Sequence, residues 1–388
     1  MHIALTGPMT LSLLEPELGS EIPSSGFPFP GTSQLVLDYL RAGHEVTAIT
    51  TGFDIAEPVR RSSGRLEVLV LPSRSRGRAR AFDFFREERH AITGALDAAE
   101  PDVIHAHWTY EFGLAARAAA APALVSVHDW APAIARLNRH PYWYFRWVMQ
   151  VACLARRGAL VAPSSYIADR VQRWYRQPCA VIPNGVDLAA YTTVVPSHRP
   201  VVAMLNVGFT DRKNVETGLR AWPAVRQAHP EAVLALAGPD FEPGGVADRW
   251  AREHDLAAGV RFLGPLDPDA VPAFLGDAAL FLHTSREESF GVVLVEAMAA
   301  GLPVIVGADS GAAPDVVRPA GLAIDVCDPG AVARAVEELL SDPQRRERMS
   351  RSGREVAAAY AVERSSAAHL ALLREVAGSR RTGTMEQA

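Results

Sequence analysis

Residues 285–307 read SREESFGVVLVEAMAAGLPVIVG. Ser289 is of a type that caps helix N-termini, Gly301 suits the position just past a helix end, and Pro303 bars the helix from continuing. PVIVG then reads as a buried strand. A helix feeding a parallel strand is the repeating unit of an α/β sheet. On this reading Glu288 lies in the loop at the positive end of the helix, and Glu296 lies on it about two turns later. The step from Ser289 to Glu296 rises about 10 Å and returns to nearly the same face. That spacing suits one carboxylate on a sugar ring, the other on a ribose, and a diphosphate between them. The N–H groups of Phe290 and Gly291, aided by the helix dipole, would hold the diphosphate. Two glutamates alone read better as an exposed helix residue and a first-turn charge. The Phe-Gly, the Ala-Met-Ala-Ala-Gly and the strand beside them favour the site.

The same alternation runs outward in both directions. IALT (3–6), EVTAIT (45–50), LEVLVL (66–71), DVIHA (102–106), ALVSV (123–127) and ALVAP (159–163) read as buried strands. Helical spacing separates them from Thr32 to Ala42, Phe82 to Ala99 and Ile134 to Arg156. The second half continues with VVAMLNV (201–207), AVLALA (232–237), VRFLG (260–264), ALFLH (279–283) and PVIVG (303–307). The expectation is an α/β chain of two doubly wound, Rossmann-like domains, residues 1–190 and 191–365, with a helix end and tail over 366–388. The linker-like stretch NGVDLAAYTTVVPSHRP (184–200) marks the boundary. Helix is expected from Asp342 to about Gly378, and disorder over the last ten residues. Ligands of doubly wound sheets sit at the carboxyl ends of the strands, so two facing units would hold one in the cleft between them.

The chain has 388 residues, enough for two domains, with 48% hydrophobic and 21% charged residues, which excludes a disordered or collagen-like protein. A net charge of −5 argues against a nucleic-acid binder. No apolar run approaches the roughly 18 residues needed to span a bilayer. The N-terminus lacks a basic n-region and is interrupted by Pro8, so a cytoplasmic location is expected. Cys153, Cys179 and Cys327 are odd in number and far apart, and form neither a disulfide framework nor a metal knuckle. Of 39 basic residues one alone, Lys213, is a lysine. Codon usage in a GC-rich genome accounts for the skew, but not for where the exception falls.

Taken together these motifs resemble the GT-B glycosyltransferases of family 4, retaining enzymes that use nucleotide-sugar donors. Glu288 and Glu296 match the family's E-x7-E element in order, spacing and flanking residues. SGAAPDVV (310–317) is similar to the Gly-Gly-x-Pro-Glu turn, with Ala312 and Asp315 in place of the usual residues. VIPNGVD (181–187), AGLAIDVCDPGAVARAVEELL, HEVTAIT, DVIHAHW and VSVHDW fall in the family's order, and the resemblance covers about residues 1–365.

The resemblance also implies roles. The family has a Gly-Arg pair and a lysine about six residues after the glycine, both bases gripping the donor diphosphate. Here Phe209 replaces the arginine, Lys213 follows Gly208 by five, and Arg212 is the candidate substitute. Gly31 is the nearest match to the family's Gly-Gly loop, with donor contact and simple helix entry both open. His128, in VSVHDW, matches a histidine near the donor sugar, and Asp129 is placed to orient it. His105 and His107 read as structural or acceptor-lining, since no acidic or cysteine partners sit at metal-ligand spacing. Phe262, Leu263 and Gly264 match a loop near the nucleotide base. Asp267-Pro-Asp269 reads as a helix start rather than an Asp-x-Asp metal site.

The expected donor-site residues are thus Gly31, Gly208, Arg212, Lys213, Glu288, Ser289, Phe290, Gly291 and Glu296, with Glu288, Lys213 and His128 catalytic. No metal or other cofactor is expected. The function implied is metal-independent, retaining transfer of a sugar from a nucleoside diphosphate to a hydroxyl acceptor, whether glycan, lipid or small molecule. A nucleotide-sugar epimerase of the same architecture and a non-catalytic sugar-binding protein are the alternatives. Arg74, Arg76, Arg78 and Arg80, with the aromatic run PYWYFRW (141–147), leave a peripheral membrane or lipid contact open against a solvated loop and a buried helix.

Overall fold

The computed structural model describes residues 1–22 and 26–385. It divides into two α/β units, the first comprising residues 1–184 together with the chain from Glu363 onward, the second Gly185–Val362. The division falls at Asn184/Gly185, at the start of the linker-like stretch 184–200 and six residues before the 190/191 division, and the C-terminal helix joins the first unit instead of forming a separate tail.

In the first unit β1 (His2–Thr6), β2 (Glu45–Gly52), β3 (Val59–Ser63), β4 (Leu66–Pro72), β5 (Val103–His107), β6 (Ala123–Ser126), β7 (Leu160–Ala162) and β8 (Ala180–Val181) form one sheet in the order β3-β4-β2-β1-β5-β6-β7-β8. Every pairing is parallel except β3 with β4. Side chains alternate across a strand, so β1 feeds two cores. Ile3 and Leu5 pack with Leu35, Val36 and Tyr39 of the helix Pro30–Arg41 and with Leu370 and Leu373 of the last helix, Val362–Met385. Ala4 packs on the other face with Ile92, Leu96 and Met149. The Ser365 hydroxyl donates to the Pro183 carbonyl at 2.7 Å, which ties the last helix down. That helix continues to Met385, past the Gly378 end expected. Of the last ten residues, 386–388 lie outside the described residues, as do residues 23–25, between the short helix Glu15–Leu18 and the helix Pro30–Arg41.

Two expected helices differ in extent. The one expected from Phe82 to Ala99 starts at Arg86, after a separate short helix Gly77–Phe82, because Phe84 and Phe85 turn left-handed with φ of 54° and 58°. The stretch 134–156 divides into Ala131–Asn138 and Pro141–Leu154. Pro141 has no N–H to offer a helix interior but fits a first turn, and the His140 ring accepts from the Tyr142 N–H at 3.2 Å to cap it.

The second unit has β9 (Val201–Leu205), β10 (Val233–Ala237), β11 (Val260–Gly264), β12 (Leu280–His283), β13 (Val304–Gly307) and β14 (Gly321–Ile324), all parallel, in the order β11-β10-β9-β12-β13-β14. Its core gathers Leu219, Trp222 and Val225 of the helix Val215–Ala228, and Val332, Val336 and Leu339 of the helix Pro329–Ser341, against Val202, Leu234 and Leu282. Sequence order runs outward in both directions from β9, so the topological switch falls between β9 and β12. The loops leaving their carboxyl ends carry Lys213 and Glu288.

Candidate functional site

The loop after β9 and the loop after β12 are fastened to each other through the backbone. The Arg286 N–H donates to the Arg212 carbonyl at 2.8 Å, the Ser285 hydroxyl to the same oxygen at 3.2 Å, and the Thr284 hydroxyl to the Lys213 carbonyl at 3.3 Å. Asn214, left-handed at φ 51°, donates its amide to the carbonyls of Thr284 and Val326 at 3.2 and 2.8 Å. A third loop supports Glu288: the Ala312 N–H donates to the Glu288 carbonyl at 2.8 Å. Gly311 permits that approach, because at its φ of 65° a Cβ would lie 2.3 Å from the Glu288 oxygen.

The side chains of Lys213 and Glu288, 9% and 7% exposed, meet in this frame. Lys213 Nζ donates to Glu288 Oε1 at 2.5 Å, and His283 Nε2 reaches the same oxygen at 3.0 Å. An ionised carboxylate only accepts, so the His283 proton sits on Nε2. Burial alone would raise the Glu288 carboxyl, but the Lys213 ammonium, the His283 hydrogen bond and the nearby Arg212 outweigh it and hold the group well below the usual range. Burial lowers Lys213 against the opposing pull of Glu288, and lowers His283, whose Nδ1 is buried without a hydrogen-bond partner. Two loops and the end of β12 therefore bring three groups into one charge cluster. His283 was not read from the sequence as a site residue. Its place at the last position of a strand, where ligands gather, was the available signal.

The helix that follows starts later than its sequence suggests. It spans Val292–Ala299, with Gly291 at the N-cap position at φ 85°, and Ser289 is not the cap. Ser289, Phe290 and Gly291 belong to the loop, and Glu296 sits a little over one turn into the helix rather than two. Gly301 does close the helix, at φ 85°. Phe290 is buried and packs edge-on to Tyr360 at 5.3 Å, so its backbone alone is left for a ligand. Burial raises the Glu296 carboxyl, opposed by a hydrogen bond from the Tyr191 hydroxyl. Tyr191 closes the short 3-10 turn Leu188–Tyr191, in the stretch taken as linker, where no periodicity marks it.

Gly208 lies at φ 87°, and the Phe209 N–H donates to the Asp240 carboxylate at 3.1 Å. The Phe209 ring packs against Trp250 at 5.5 Å, so this position serves the core. Arg212 turns toward the Glu287 carbonyl at 3.4 Å and contributes positive charge beside Glu288. Phe262 is buried in the core and Leu263 is exposed. Asp267 precedes the 3-10 turn Pro268–Ala270, a helix entry.

In the first unit Gly31 occupies the first turn of the helix Pro30–Arg41, where an added Cβ would touch the Phe29 ring at 3.2 Å. His128 lies just past β6, beside the rings of Trp108 and Phe29, with centroids 4.5 and 5.6 Å away. His107 Nδ1 is 2.7 Å from His128 Nε2. His105 is a core histidine with both nitrogens satisfied, one by the Tyr39 hydroxyl at 3.0 Å and one by the Ser126 hydroxyl at 2.9 Å. Asp129 accepts from the Tyr110 hydroxyl at 2.8 Å.

Two members of the arginine run are engaged within the first unit. Arg74 pairs with Asp83 at 2.9 Å and Glu88 at 2.6 Å, and Arg80 is buried against the rings of Phe53 and Phe85. Arg146 pairs with Glu111 at 2.5 Å under the Tyr110 ring. The helix Pro141–Leu154 nonetheless exposes Tyr144, Val148 and Val151. Among the described residues no group of three or more His, Cys, Asp or Glu could hold a metal ion, and no helix is long and apolar enough to cross a membrane.

Two family models match in succession, Glycosyltransferase Family 4 over residues 32–190 and Glycosyl transferases group 1 over residues 194–356. Glycogen synthase of Mycobacterium tuberculosis is 30% identical over 273 residues, which is 66% of this chain and 64% of that protein. The GDP-mannose-dependent monoacylated alpha-(1-6)-phosphatidylinositol monomannoside mannosyltransferase of Corynebacterium glutamicum is 32% identical over 45% of this chain and 50% of its own length. The chain thus matches about half to two thirds of the length of these curated relatives. Sucrose-phosphate synthase from Thermosynechococcus elongatus superposes with a TM-score of 0.79 at 21% identity, covering 98% of this chain and 100% of that one, a likeness of fold. With both models matched in chain order and the architecture shared, the protein belongs to the GT-B glycosyltransferases of the family 4 kind.

Proposed function

We propose that the protein is a retaining, metal-independent glycosyltransferase that moves a sugar from a nucleoside diphosphate to a hydroxyl acceptor. The Lys213–Glu288–His283 cluster at the topological switch of the second sheet carries the reading. Lys213, with Arg212 beside it, supplies the positive charge that a leaving diphosphate develops against, the largest catalytic term for such a transfer. The N–H groups around Gly291 and the first turn of the helix Val292–Ala299 face the same anion. Glu296 and Tyr191 hold the ribose, and Glu288 lies beside the transferred sugar, where positive charge builds as the glycosidic bond breaks. The acceptor oxygen attacks on the face that the diphosphate leaves, and the leaving phosphate takes its proton. A fixed lysine and a helix N-terminus do the work that a divalent cation would otherwise do on the phosphates.

The test is transfer from a panel of nucleotide-sugars, ranked first by thermal shift, because a ligand bound only by the folded state raises its stability. Turnover that survives excess EDTA, with the anomeric configuration kept, is the expected result. Loss in EDTA restored by Mn²⁺ would overturn the metal-independent reading. An inverted product would overturn the retaining one. Epimerised donor in the absence of acceptor would favour an epimerase.

A lipid acceptor at a membrane surface is favoured by one observation. Tyr144, Val148 and Val151, exposed by 48%, 53% and 40%, share one face of the helix Pro141–Leu154, and Arg156 and Arg157 follow its end. Such a face suits an interfacial helix. Co-sedimentation with anionic vesicles that is lost in Val148→Asp tests it.

A further inference from the structure

His107 and His128 come from the carboxyl ends of neighbouring strands, and their rings meet edge to edge. The ring planes differ by 16° and the centroids are 5.0 Å apart, as two imidazoles joined through a 2.7 Å nitrogen contact require. Only one proton fits between the two nitrogens, so one ring donates and the other accepts.

The surroundings decide which. His107 is 1% exposed, and its other nitrogen, Nε2, has no hydrogen-bond partner. If His128 donated, the His107 proton would sit on Nε2, and a buried N–H would go unpaired. If His107 donates from Nδ1, its Nε2 keeps only a bare lone pair. Orphaned buried N–H groups are rarer than under-satisfied acceptors, and a shared proton with one free lone pair is the cheaper state. A doubly protonated ring is disfavoured too, since burial holds both imidazoles neutral at physiological pH. The His107 side chain is closely packed. A Cβ on Gly7 would sit 2.8 Å from the His107 Cβ, and the His105 ring lies 4.3 Å from the His107 ring.

We propose that His107 is a positioning residue: its Nδ1–H occupies the Nε2 lone pair of His128 and fixes His128 as the Nδ1–H tautomer, so that His128 offers substrate a hydrogen-bond donor and not a base. The consequence for transfer rests on the proposed function and on the role that the family resemblance implies for His128, near the donor sugar. The tautomer itself does not. A donor at that point can hold a sugar hydroxyl or steady an oxygen gaining charge, while the acceptor's proton leaves by another route. That agrees with a leaving phosphate that serves as the base.

The experiment is a long-range ¹H–¹⁵N spectrum of the full-length protein with ¹⁵N-labelled histidine at neutral pH. His128 is assigned by the signal lost in His128→Ala. The expected result is a protonated Nδ1 and an acceptor Nε2 on His128, and a protonated Nδ1 on His107. A protonated Nε2 on His128 overturns the proposal, and the wild-type spectrum alone is enough to show it. His107→Leu is expected to release His128 toward the Nε2–H form. His107→Asn, whose amide can occupy the place of Nδ1, is expected to restore the Nδ1–H form. A His128 tautomer unchanged in His107→Leu also overturns the proposal. In the same variants, kcat is expected to fall about tenfold in His107→Leu, with donor KM little moved and recovery in His107→Asn. A tautomer that switches while kcat stays constant would leave His107 as the positioning residue and remove His128 from the sugar, a failure of the proposed function.

Discussion

The Lys213–Glu288 pair is the feature on which the site stands, and its removal has a calculable effect. Lys213→Met keeps most of the aliphatic stem and deletes the ammonium. Glu288, 7% exposed, then has His283 as its remaining side-chain donor of the two described above. Breaking one side of a buried pair costs about 3–5 kcal/mol, because the remaining charge is stranded. His283 still donates and the carboxyl can take up a proton, so the lower end, about 3 kcal/mol at pH 7, is expected. Glu288→Gln strands the lysine instead, at a similar cost. The double variant should be less damaged than the sum by about 2–3 kcal/mol, the upper part of the roughly 0.5–3 kcal/mol found for residues in direct contact.

The pH dependence supplies an independent sign. In the wild type the Glu288 carboxyl lies well below its ordinary range, so its contribution is intact above that range and lost only as pH falls toward the depressed value. Without Lys213, burial dominates and raises the group. A raised carboxyl is stable below its unfolded value and loses stability as pH climbs through the folded one. The deficit of Lys213→Met should therefore be largest at pH 7 and shrink toward pH 5. Two units need not unfold together, so a global midpoint is the wrong readout. Hydrogen exchange at the Ala312 and Arg286 amides, which bond the Glu288 and Arg212 carbonyls, reports the local opening energy. A cost below about 1 kcal/mol that does not vary with pH would match a solvated surface pair and refute the buried cluster.

Catalysis gives a second reading of the same lysine: Lys213→Ala is expected to lower kcat about 10²-fold or more, and Lys213→Arg to rescue it in part, by steady-state transfer assays. Glu296→Gln and Tyr191→Phe are expected to raise donor KM and weaken inhibition by free nucleoside diphosphate, whereas Glu288→Gln lowers kcat and leaves that inhibition nearly intact; initial-rate measurements with competing nucleotide separate them. Gly311→Ala should cost about 2 kcal/mol or more, because its left-handed backbone and the Glu288 carbonyl both exclude a Cβ, and faster hydrogen exchange at the Ala312 amide would show it. Acid should loosen the first unit: burial depresses His128 to about 3 and His369 to about 4, so the unfolded chain binds more protons below pH 6.5 and stability falls by about 3 kcal/mol for each, taken singly, by pH 4. Denaturant titrations at pH 7 and pH 4.5 measure the slope, which His369→Asn should flatten.

The parallel strands were legible because burial on both faces leaves near-continuous apolar runs, and β1, β9 and β13 are such runs. β3 was not, since an antiparallel edge strand of sequence VRRSS has no apolar face to show, and it is held instead by its ladder to β4 and an Arg60–Glu67 pair at 2.7 Å. The short strand β14 passed unread for a related reason. Its residues are only partly buried at the other end of the second sheet, and their alternation is too brief to register. Helix breaks at Phe84 and Arg139 were hidden as well, because a left-handed turn at a non-glycine residue leaves no mark in composition.

At the site, chemistry was legible and partnership was not. Lys213 stood out as the chain's one lysine, and Glu288 and Glu296 by their spacing, but nothing linear says that Lys213 and Glu288 share one oxygen with His283. That contact exists because β9 and β12 are neighbours in the sheet while being distant in sequence, and a switch point brings together what the chain keeps apart. The helix start was hidden for a different reason. Ser289 is a good cap by type, yet Gly291, turned left-handed at φ 85°, takes the N-cap position, and a glycine that permits such a turn can displace a preferred cap. Glu288, ahead of that turn, is meanwhile fixed from outside its own loop, through the Lys213 ammonium on its carboxylate and the Ala312 N–H on its carbonyl.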